Sequence, residues 1–426
     1  MEADSWVLLA ATIFATSFLF LLKGFISRSR LKLPPGPKPW PILGNLNLIG
    51  SLPHQSIHDL SQTYGPMMQL QFGSFPVVIG SSVEMAREFL KIHDLNFASR
   101  PYTSATKYTN YDQNDVICSL WSTVASWAEL FTMKRLDSFQ YIRTEELHLF
   151  LSGIYASCGN PATLVSTQYI QNDFGKEDKL SKFMTKDMLD VLLQLADDPN
   201  PDLKFSRLRI KGLTLDLLAG GTDTSTTAIE WAMSELLKHP EIVEQATEEV
   251  DRVIGRNRWV EEKDIPNLPY IKSIMLETMR MHPVVPLLAP HLARENCKVH
   301  GYDILRGTRV FVNTWSIGRD PTLWDAPNEF RPARFKGREI DVVKGQNFEL
   351  LPFGSGRRMC PGYNLGLKLI ESGLANLLHG FTWELPNQMK PQDLNMEEVF
   401  GLSVPKKVPL VVVAEPRLPH NLYSAV

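Results

Sequence analysis

The segment Phe353–Gly362, with the sequence FGSGRRMCPG, constrains the fold of this 426-residue chain more than any other stretch. Its glycines allow a tight loop that can lie against a flat group, because they carry no Cβ. From Leu365 to Leu377 apolar and small residues recur at helical spacing, so the sequence predicts a helix that Pro361 opens. We therefore expect Cys360 at a helix N-terminus, where the dipole and the neighbouring arginines favour a thiolate.

Several chemical roles are open to a thiolate at this position: a nucleophile, a zinc ligand, half of a redox pair or an axial ligand of haem iron. The other cysteines, Cys118, Cys158 and Cys297, are single and far apart. This spacing argues against zinc and dithiol sites, which usually contain closely spaced cysteine pairs. A nucleophile would need a histidine partner, which sequence spacing does not exclude. A buried structural cysteine explains neither the glycines nor the arginines.

The pattern Phe-x-x-Gly-x-Arg-x-Cys-x-Gly in this segment resembles the haem-binding loop of the cytochrome P-450 family of haem-thiolate monooxygenases. The resemblance implies a mainly α fold with a small β region, heme b (iron protoporphyrin IX) as cofactor, and Cys360 as the axial ligand of iron. It also implies that Arg358 pairs with a haem propionate. The other residues expected to bind the cofactor in this loop are Phe353, Gly354, Gly356 and Gly362.

Composition restricts the possible partners. The chain has 44 Lys and Arg against 47 Asp and Glu and a pI near 6.4, so it lacks the basic character of a nucleic-acid-binding protein, and we expect no nucleic-acid partner. Four cysteines without a framework spacing indicate a reducing compartment such as the cytosol. With 44% hydrophobic residues the chain can form a large core.

The N-terminal residues have the pattern of a membrane anchor. Residues 6–22 are an uncharged run of 17 residues, at the short end of what a spanning helix needs. Basic residues follow this run, so the positive-inside rule predicts a cytosolic catalytic domain. In a cleaved signal peptide, the alternative, the basic residues would come first. We expect a single-pass transmembrane anchor in the endoplasmic reticulum membrane at residues 1–23, a basic and proline-rich hinge at 24–41 and the catalytic domain at 42–426.

Two segments depart from the family pattern. Residues 114–128 lack the Trp-x-x-x-Arg motif whose side chains bind a propionate in the family, because neither Trp121 nor Trp127 has an arginine at that spacing. Near residues 174–186 the family's lid helices, which cover the substrate pocket, are missing. These changes are expected to remove one propionate anchor and to open the distal side of haem to water.

The segment Ala219–Ser225, with the sequence AGGTDTS, lies inside a helix predicted for residues 211–238. Two adjacent glycines cost a helix about 1 kcal/mol each relative to alanine, so close approach of a ligand is a natural reason for them. A kinked helix with back-bonded Ser and Thr side chains is the alternative. The resemblance implies that Asp223 and Thr224 deliver protons on the distal side of haem. The residues of this segment expected to contact the substrate are Ala219 and Gly220.

An apolar segment at residues 284–290 is predicted to be a broken strand that reaches the distal pocket. Leu287 and Leu288 are its candidate substrate contacts. The resemblance implies that His291, which directly follows this segment, hydrogen-bonds a haem propionate. A satisfied structural histidine is the alternative reading of the same residue.

A charged group is predicted on the helix expected at residues 270–282. Glu277 and Arg280 are three residues apart and therefore share a helix face. An isolated pair of this kind is usually an exposed bridge of little energy. The resemblance implies instead a buried structural triad that includes Arg334, because buried charges persist only in complete networks.

The function implied by the resemblance is that of an oxidoreductase, a monooxygenase that inserts one atom of O2 into a small hydrophobic substrate, a plant secondary metabolite. The electrons would come from NADPH through a flavoprotein, the NADPH-cytochrome reductase, while the cofactor carries the chemistry. Two alternatives remain open. One is a peroxide isomerase or dehydratase on the same scaffold, against which the Asp223–Thr224 pair argues. The other is a catalytically inactive truncated or splice variant, which the altered segment and the lost lid favour.

Overall fold

The computed structural model describes residues 31–103, 107, 117, 132–164, 192–193, 206–338, 340–343 and 345–424. The predicted anchor at residues 1–23, nearly all of the altered segment at 114–128 and the predicted deletion near 174–186 lie outside these residues. Within the described part of the chain, none of the helices is both long and apolar enough to cross a membrane.

Helices make up most of the regular structure in the described residues. In chain order the α-helices are α1 (Pro53–Tyr64), α2 (Val83–Arg87), α3 (Met133–Ser138), α4 (Gln140–Ala156), α5 (Arg207–Lys238), α6 (Pro240–Ile254), α7 (Pro269–Met281), α8 (Thr314–Ile317) and α9 (Tyr363–Gly380). A π-helical turn, Glu88–Ile92, continues α2. Short 3₁₀ turns lie at Leu46–Leu48, Glu262–Asn267, Pro332–Phe335, Gly356–Arg358, Pro386–Gln388, Pro391–Asp393 and His420–Leu422.

The strands form small sheets beside the helices. They are β1 (Met67–Phe72), β2 (Phe75–Gly80), β3 (Ala162–Thr163), β4 (His291–Leu292), β5 (Cys297–Val299), β6 (Tyr302–Ile304), β7 (Arg309–Val312), β8 (Phe381–Glu384) and β9 (Val411–Pro416). One sheet has the order β1-β2-β7-β4, a second β3-β9-β8, and β5 pairs with β6. The β2–β7 pair is parallel and the other pairs are antiparallel. The mainly α fold with a small β region is thus confirmed.

The longest helix, α5, has a clear beginning and end in the sequence. The Ser206 side chain caps its N-terminus by accepting a hydrogen bond from the Arg209 backbone N–H at 3.2 Å. The helix ends at Lys238, shortly before Pro240, because a proline disfavours helical geometry in the residue that precedes it. It begins four residues before the predicted start, and it continues through both adjacent glycines.

Residues 284–290 do not form the predicted strand. Prolines flank and interrupt this segment, and each removes a backbone N–H that a sheet ladder would use. The segment bends instead, and Leu288 adopts a left-handed backbone conformation with a φ of 51°. Strand geometry begins only at His291–Leu292, which pairs with β7.

The described part of the proline-rich hinge packs against the sheet and is not a free spacer. The Gln69 backbone N–H in β1 donates to the Pro35 carbonyl at 2.7 Å. A Cβ on Gly36 would lie 1.9 Å from the Gln69 carbonyl oxygen, so only glycine allows this approach. A little further on, the Asn45 side chain accepts from the Gln71 backbone N–H at 2.8 Å. This end of the hinge therefore belongs to the folded domain.

Helices α5, α7 and α9 pack together in the interior. The buried side chains that they contribute to one hydrophobic cluster include Ala232, Leu236, Ile271, Ile274, Leu374 and Leu378. A Cβ on Gly373 of α9 would lie 3.0 Å from Cδ1 of Ile229 in α5, so the Ile229 side chain would have to shift to admit a larger residue. This contact joins the helix that follows Cys360 to the helix that carries Thr224.

Glu277, Arg280 and Arg334 form the buried triad that the sequence predicted. Glu277 is fully buried, and its Oε2 accepts from Arg280 Nε at 2.7 Å. Its Oε1 accepts from Arg334 Nε at 2.9 Å and from the Arg331 backbone N–H at 2.8 Å. Arg280 also donates to several backbone carbonyls. Because the buried charges are paired and hydrogen-bonded, the cost of removing them from water is offset.

The substitution Glu277→Gln should strongly destabilise the protein. It keeps the shape of the side chain but leaves two buried guanidinium groups without a counter-charge, which costs about 3–5 kcal/mol. The control is Asp325→Asn, which breaks an exposed pair with Arg331 and should cost about 1 kcal/mol or less. Urea unfolding of both variants measures the difference, and equal losses would contradict a structural role for the triad.

Candidate active site

Hydrogen bonds to backbone carbonyls hold the loop that contains Cys360. The Cys360 N–H donates to the Phe353 carbonyl at 2.9 Å, and Ser355 Oγ donates to the Gly345 carbonyl. Gly354 and Gly356 have φ values of 70° and 71°, in the left-handed region that glycine adopts readily. Helix α9 begins at Tyr363 with Gly362 as its N-cap, so the helix starts two residues later than predicted.

The glycine at position 356 is required by packing inside the protein. A Cβ there would lie 1.9 Å from the Leu90 carbonyl oxygen in the π-helical turn after α2. Packing therefore explains this glycine without a cofactor, and contact of Gly356 with haem stays a prediction. A Cβ on Gly354 would make only an ordinary contact, 3.7 Å from Leu288 Cδ1.

The thiol of Cys360 is accessible but partly shielded from bulk water. Cys360 is exposed, yet desolvation by the surrounding protein raises the pKa of its thiol, an effect that the Gly362 N–H partly offsets. Arg357 pairs with Asp94 at 3.2 Å, and Arg358 Nε donates to a carbonyl. The prediction of a thiolate in the free chain is therefore wrong, because both arginines are engaged elsewhere. A bound cation would deprotonate the sulfur directly.

A cluster of two arginines and one histidine, Arg100, Arg358 and His291, lies beside this loop. Arg100 is buried, and its Nη1 donates to the carbonyls of Ala289 and Pro290 at 2.7 and 3.0 Å. Burial, with Arg100 and Arg358 nearby, lowers the pKa of His291 to about 3. Three nitrogen-bearing side chains thus converge where an anionic group would be favoured.

His291 is buried and neutral at physiological pH. Its Nδ1 donates to the Phe97 carbonyl at 2.8 Å, which fixes the neutral tautomer with Nε2 as an acceptor. His291 can therefore donate to a carboxylate through Nε2 only after it gains a second proton. The neighbouring guanidinium groups oppose that proton, whereas a bound anion would favour it.

Arg100 was not found by sequence reasoning. It follows the buried residues Phe97 and Ala98 and precedes a proline, so no helical or strand periodicity marks it. Its partners at residues 289 and 290 are far away in the sequence, and only the fold brings them together. The single available signal was a charged residue directly before a proline and shortly after an apolar pair.

The acid and the hydroxyl of α5 both have defined partners. Thr224 Oγ1 donates to the Gly220 carbonyl at 2.6 Å, which is the back-bonding that the kinked-helix alternative predicts. Asp223 Oδ2 accepts from Ser403 Oγ. A Cβ on Gly220 or Gly221 would meet no protein atom of the described residues within 4 Å, so packing does not explain the two glycines.

The four predicted substrate contacts differ in position. Ala219 is exposed on α5, and Gly220 has open space on its free side. Leu288 packs partly against a buried cluster and approaches the loop at Gly354. The prediction for Leu287 needs correction, because this side chain is buried in the core with Ile57 and its neighbours.

The residues present fit a haem. Cys360 supplies one accessible sulfur for an axial bond, and the cluster of Arg100, His291 and Arg358 suits carboxylates such as propionates. On the free sides of Gly220 and Gly221 no atom of the described residues outside their own helix backbone lies within 4 Å. No group of three or more His, Cys, Asp or Glu side chains among the described residues could hold a different metal centre.

Comparison with known proteins agrees with this site. A family model described as cytochrome P450 matches residues 34–174 and 162–412. The trimethyltridecatetraene synthase of Zea mays is 38% identical over 502 residues, covering 93% of this chain and 90% of the relative. The flavonoid 3'-monooxygenase of Petunia hybrida is 35% identical over 505 residues, covering 98% and 99%. Both alignments extend over more positions than the chain has residues, so they contain gaps.

The fold has close counterparts among solved structures. A zebra fish cytochrome P450 in a structure with abiraterone superimposes with a TM-score of 0.73 at 23% identity, covering 86% of this chain and all of that one. The chain belongs to the cytochrome P450 family. It is an oxidoreductase of the monooxygenase type, and that family carries haem. The roles of individual site residues stay predictions.

Alanine at position 356 should be much more damaging than alanine at another left-handed glycine. Gly337 has a φ of 75° with nothing within 4 Å of its free side, so Gly337→Ala should cost only the left-handed penalty of about 1–2 kcal/mol. Gly356→Ala adds a clash with the Leu90 carbonyl and should cost about 1–3 kcal/mol more. Urea unfolding of the two variants tests this, and similar losses would contradict the packing role of Gly356.

His291 should make the haem-free protein less stable in acid. The unfolded histidine has a pKa near 6.5 and the folded one about 3, so between these values only the unfolded state binds the proton. The contribution of His291 to the free energy of unfolding is therefore fully present above pH 6.5. It falls by up to about 1.4 kcal/mol per pH unit towards pH 3.

This dependence is measured by urea unfolding between pH 6.5 and 4.5. The slope against pH should be smaller in His291→Gln than in the wild type. The control His300→Gln removes an exposed histidine and should leave the slope unchanged. Identical slopes in His291→Gln and wild type would show that His291 is not the responsible group.

Proposed function

We propose that this chain is a haem-thiolate monooxygenase that inserts one atom of O2 into a small hydrophobic substrate with electrons from NADPH, delivered by a flavoprotein reductase. The observation that carries the proposal is the accessible Cys360 thiol on a loop within the family match. When bound, haem supplies the activation of O2. The chain itself supplies binding, orientation and protons.

Cys360 would hold the haem iron through its sulfur, which would give up its proton on binding. Arg100 and Arg358 are the proposed partners of the propionates, with His291 as a donor once an anion offsets the positive charge around it. Arg100 takes over an anchoring role that the missing Trp-x-x-x-Arg motif would otherwise have. This division of roles rests on the positions of three buried or half-buried side chains.

Asp223 and Thr224 are the proposed proton-handling pair. The Thr224 hydroxyl donates its own proton to the Gly220 carbonyl, so its oxygen lone pairs remain able to accept a hydrogen bond from a second donor. A carboxylate next to it in sequence can exchange protons with water and pass them on. Both residues lie on α5, beside the open sides of two glycines.

The substrate class is proposed from the relatives. Their names indicate flavonoids in one group and branched acyclic polyenes in another, which share a large apolar surface. A small hydrophobic plant metabolite is the substrate consistent with both. The proposed site of action is the cytosolic face of the endoplasmic reticulum membrane, with residues 1–23 as the anchor, which rests on the charge pattern of the sequence.

A second candidate is a catalytically inactive variant of such an enzyme. The gapped alignments favour it, because intact relatives extend over more positions than this chain has residues. A peroxide isomerase or dehydratase is distinguished by turnover of an organic hydroperoxide without reductase or NADPH.

The first experiment is the absorption spectrum of the detergent-solubilised, dithionite-reduced protein with and without carbon monoxide. Thiolate ligation should give a strongly red-shifted Soret band, lost in Cys360→Ala because the thiolate donor is removed. Cys158→Ala is the matched control and should keep the band. A folded wild-type protein without haem absorption would refute the monooxygenase proposal and support the inactive variant.

A further inference from the structure

Asp223 has one partner that no sequence pattern indicated, the hydroxyl group of Ser403. Ser403 Oγ donates to Asp223 Oδ2 across 180 positions of sequence, and Ser403 is buried. Ser403 lies in a segment between α9 and β9, residues 395–407, which we call the strap. The hydrogen bond occupies one carboxylate oxygen and leaves Oδ1 as the oxygen that can exchange a proton.

The backbone of the strap is held on the helices independently of the Ser403 side chain. The Val404 N–H donates to the Val284 carbonyl at 2.9 Å, and the Val404 carbonyl accepts from Trp231 Nε1 of α5 at 2.9 Å. Within the strap, the backbones of Glu398 and Lys406 form an isolated antiparallel β-bridge. Removal of the Ser403 hydroxyl should therefore leave the strap in place, since its neighbours keep their contacts.

The chemical nature of this partner matters for proton transfer. A hydroxyl group carries no charge, so it can donate to Oδ2 of Asp223 both when the carboxyl group is ionised and when Oδ1 carries a proton. A cation in the same place would hold Asp223 in its ionised form. Among the described residues, no Lys or Arg forms a salt bridge with Asp223, in contrast to Glu277, which pairs with two arginines.

We propose that Ser403 is a positioning residue for Asp223: its hydroxyl fixes the orientation of the carboxyl group in both protonation states, so that Oδ1 passes protons in one geometry. The inference rests on the proposed function, because it assumes that Asp223 handles protons in a monooxygenase. Ser403 itself is not assigned contact with substrate or cofactor. Its effect is exerted through Asp223 alone.

The test uses the full-length, haem-loaded protein with reductase, NADPH and, as probe, a flavonoid with a free 3′ position. Ser403→Val and Ser403→Thr form a matched pair, because they have nearly the same shape and differ in the hydroxyl group. Asp223→Asn removes the carboxylate and shows the effect of its complete loss. Ser234→Ala is the control, since it also removes a buried hydroxyl from the region of α5 but has no part in the site.

The measured quantities are the carbon monoxide spectrum, the KM and kcat for the probe, and the fraction of NADPH electrons recovered as hydrogen peroxide. Ser403→Val should keep the spectrum and KM but lower kcat about tenfold, with more peroxide, the kind of loss expected from a misplaced reacting group. Ser403→Thr and Ser234→Ala should behave like the wild type. A merely structural serine would not change the peroxide fraction.

A second readout does not depend on turnover. Thermal unfolding of Ser403→Val, Asp223→Asn and the double variant forms a double-mutant cycle. If the two side chains interact, their effects on the melting temperature should not add, whereas independent residues give additive effects. Additive effects would overturn the inference even if a variant loses activity.

The outcomes separate this inference from the proposed function. If Asp223→Asn releases peroxide while Ser403→Val is fully coupled, the inference is wrong and the monooxygenase proposal stands. If the wild type shows no thiolate-haem band, the proposed function is wrong. If Asp223→Asn is as active and as well coupled as the wild type, both the proton role of Asp223 and the inference are wrong.

Discussion

The structure of the part of the molecule around α7 depends on one buried charge, the carboxylate of Glu277. It accepts hydrogen bonds from two guanidinium groups and one backbone N–H, and the arginines in turn donate to backbone carbonyls of irregular segments. Those segments contain few regular hydrogen bonds of their own. A charged network therefore holds loops that hydrophobic packing alone would leave unspecified, and these loops lead into the segment that carries Cys360.

The site is assembled from segments that are distant in sequence, and packing decides their positions. The loop at residues 353–362 is seated by the close approach of Gly356 to Leu90, and α9 is seated against α5 at Gly373. At Gly356 an added side chain would meet backbone, whereas at Gly373 it would meet only the end of the Ile229 side chain, so small residues set the geometry between the cysteine and the helix that carries the acid. Stability and site geometry thus have the same origin.

Sequence reasoning succeeded where the signal was local or carried by a specific motif. Helices α5 and α7 were predicted within a few residues because caps, prolines and periodicity mark their ends. The triad was predicted because Glu277 and Arg280 share a helix face, and the family resemblance supplied Arg334. The haem-loop motif predicted the family, which the comparisons confirm.

Sequence reasoning failed where the position or charge of a residue depended on partners that are distant in the sequence. The arginines beside Cys360 were expected to favour a thiolate, but Arg357 pairs with Asp94 and Arg358 with a carbonyl, neither of which the local sequence reveals. Ser403 escaped notice because its partner is 180 positions away. The apolar residues 284–290 were read as a strand although their prolines remove the donors that a strand needs.

The electrostatics of the free chain are best understood as those of a site that binds an anionic cofactor. His291 is driven to a pKa of about 3 by burial and two arginines, and burial raises the pKa of the Cys360 thiol. Both shifts disfavour the charged form of the group. A ligand with carboxylates beside Arg100 and a cation at the sulfur would favour both charged forms at once. Binding and folding should therefore be coupled, because any ligand that binds only the native state stabilises it.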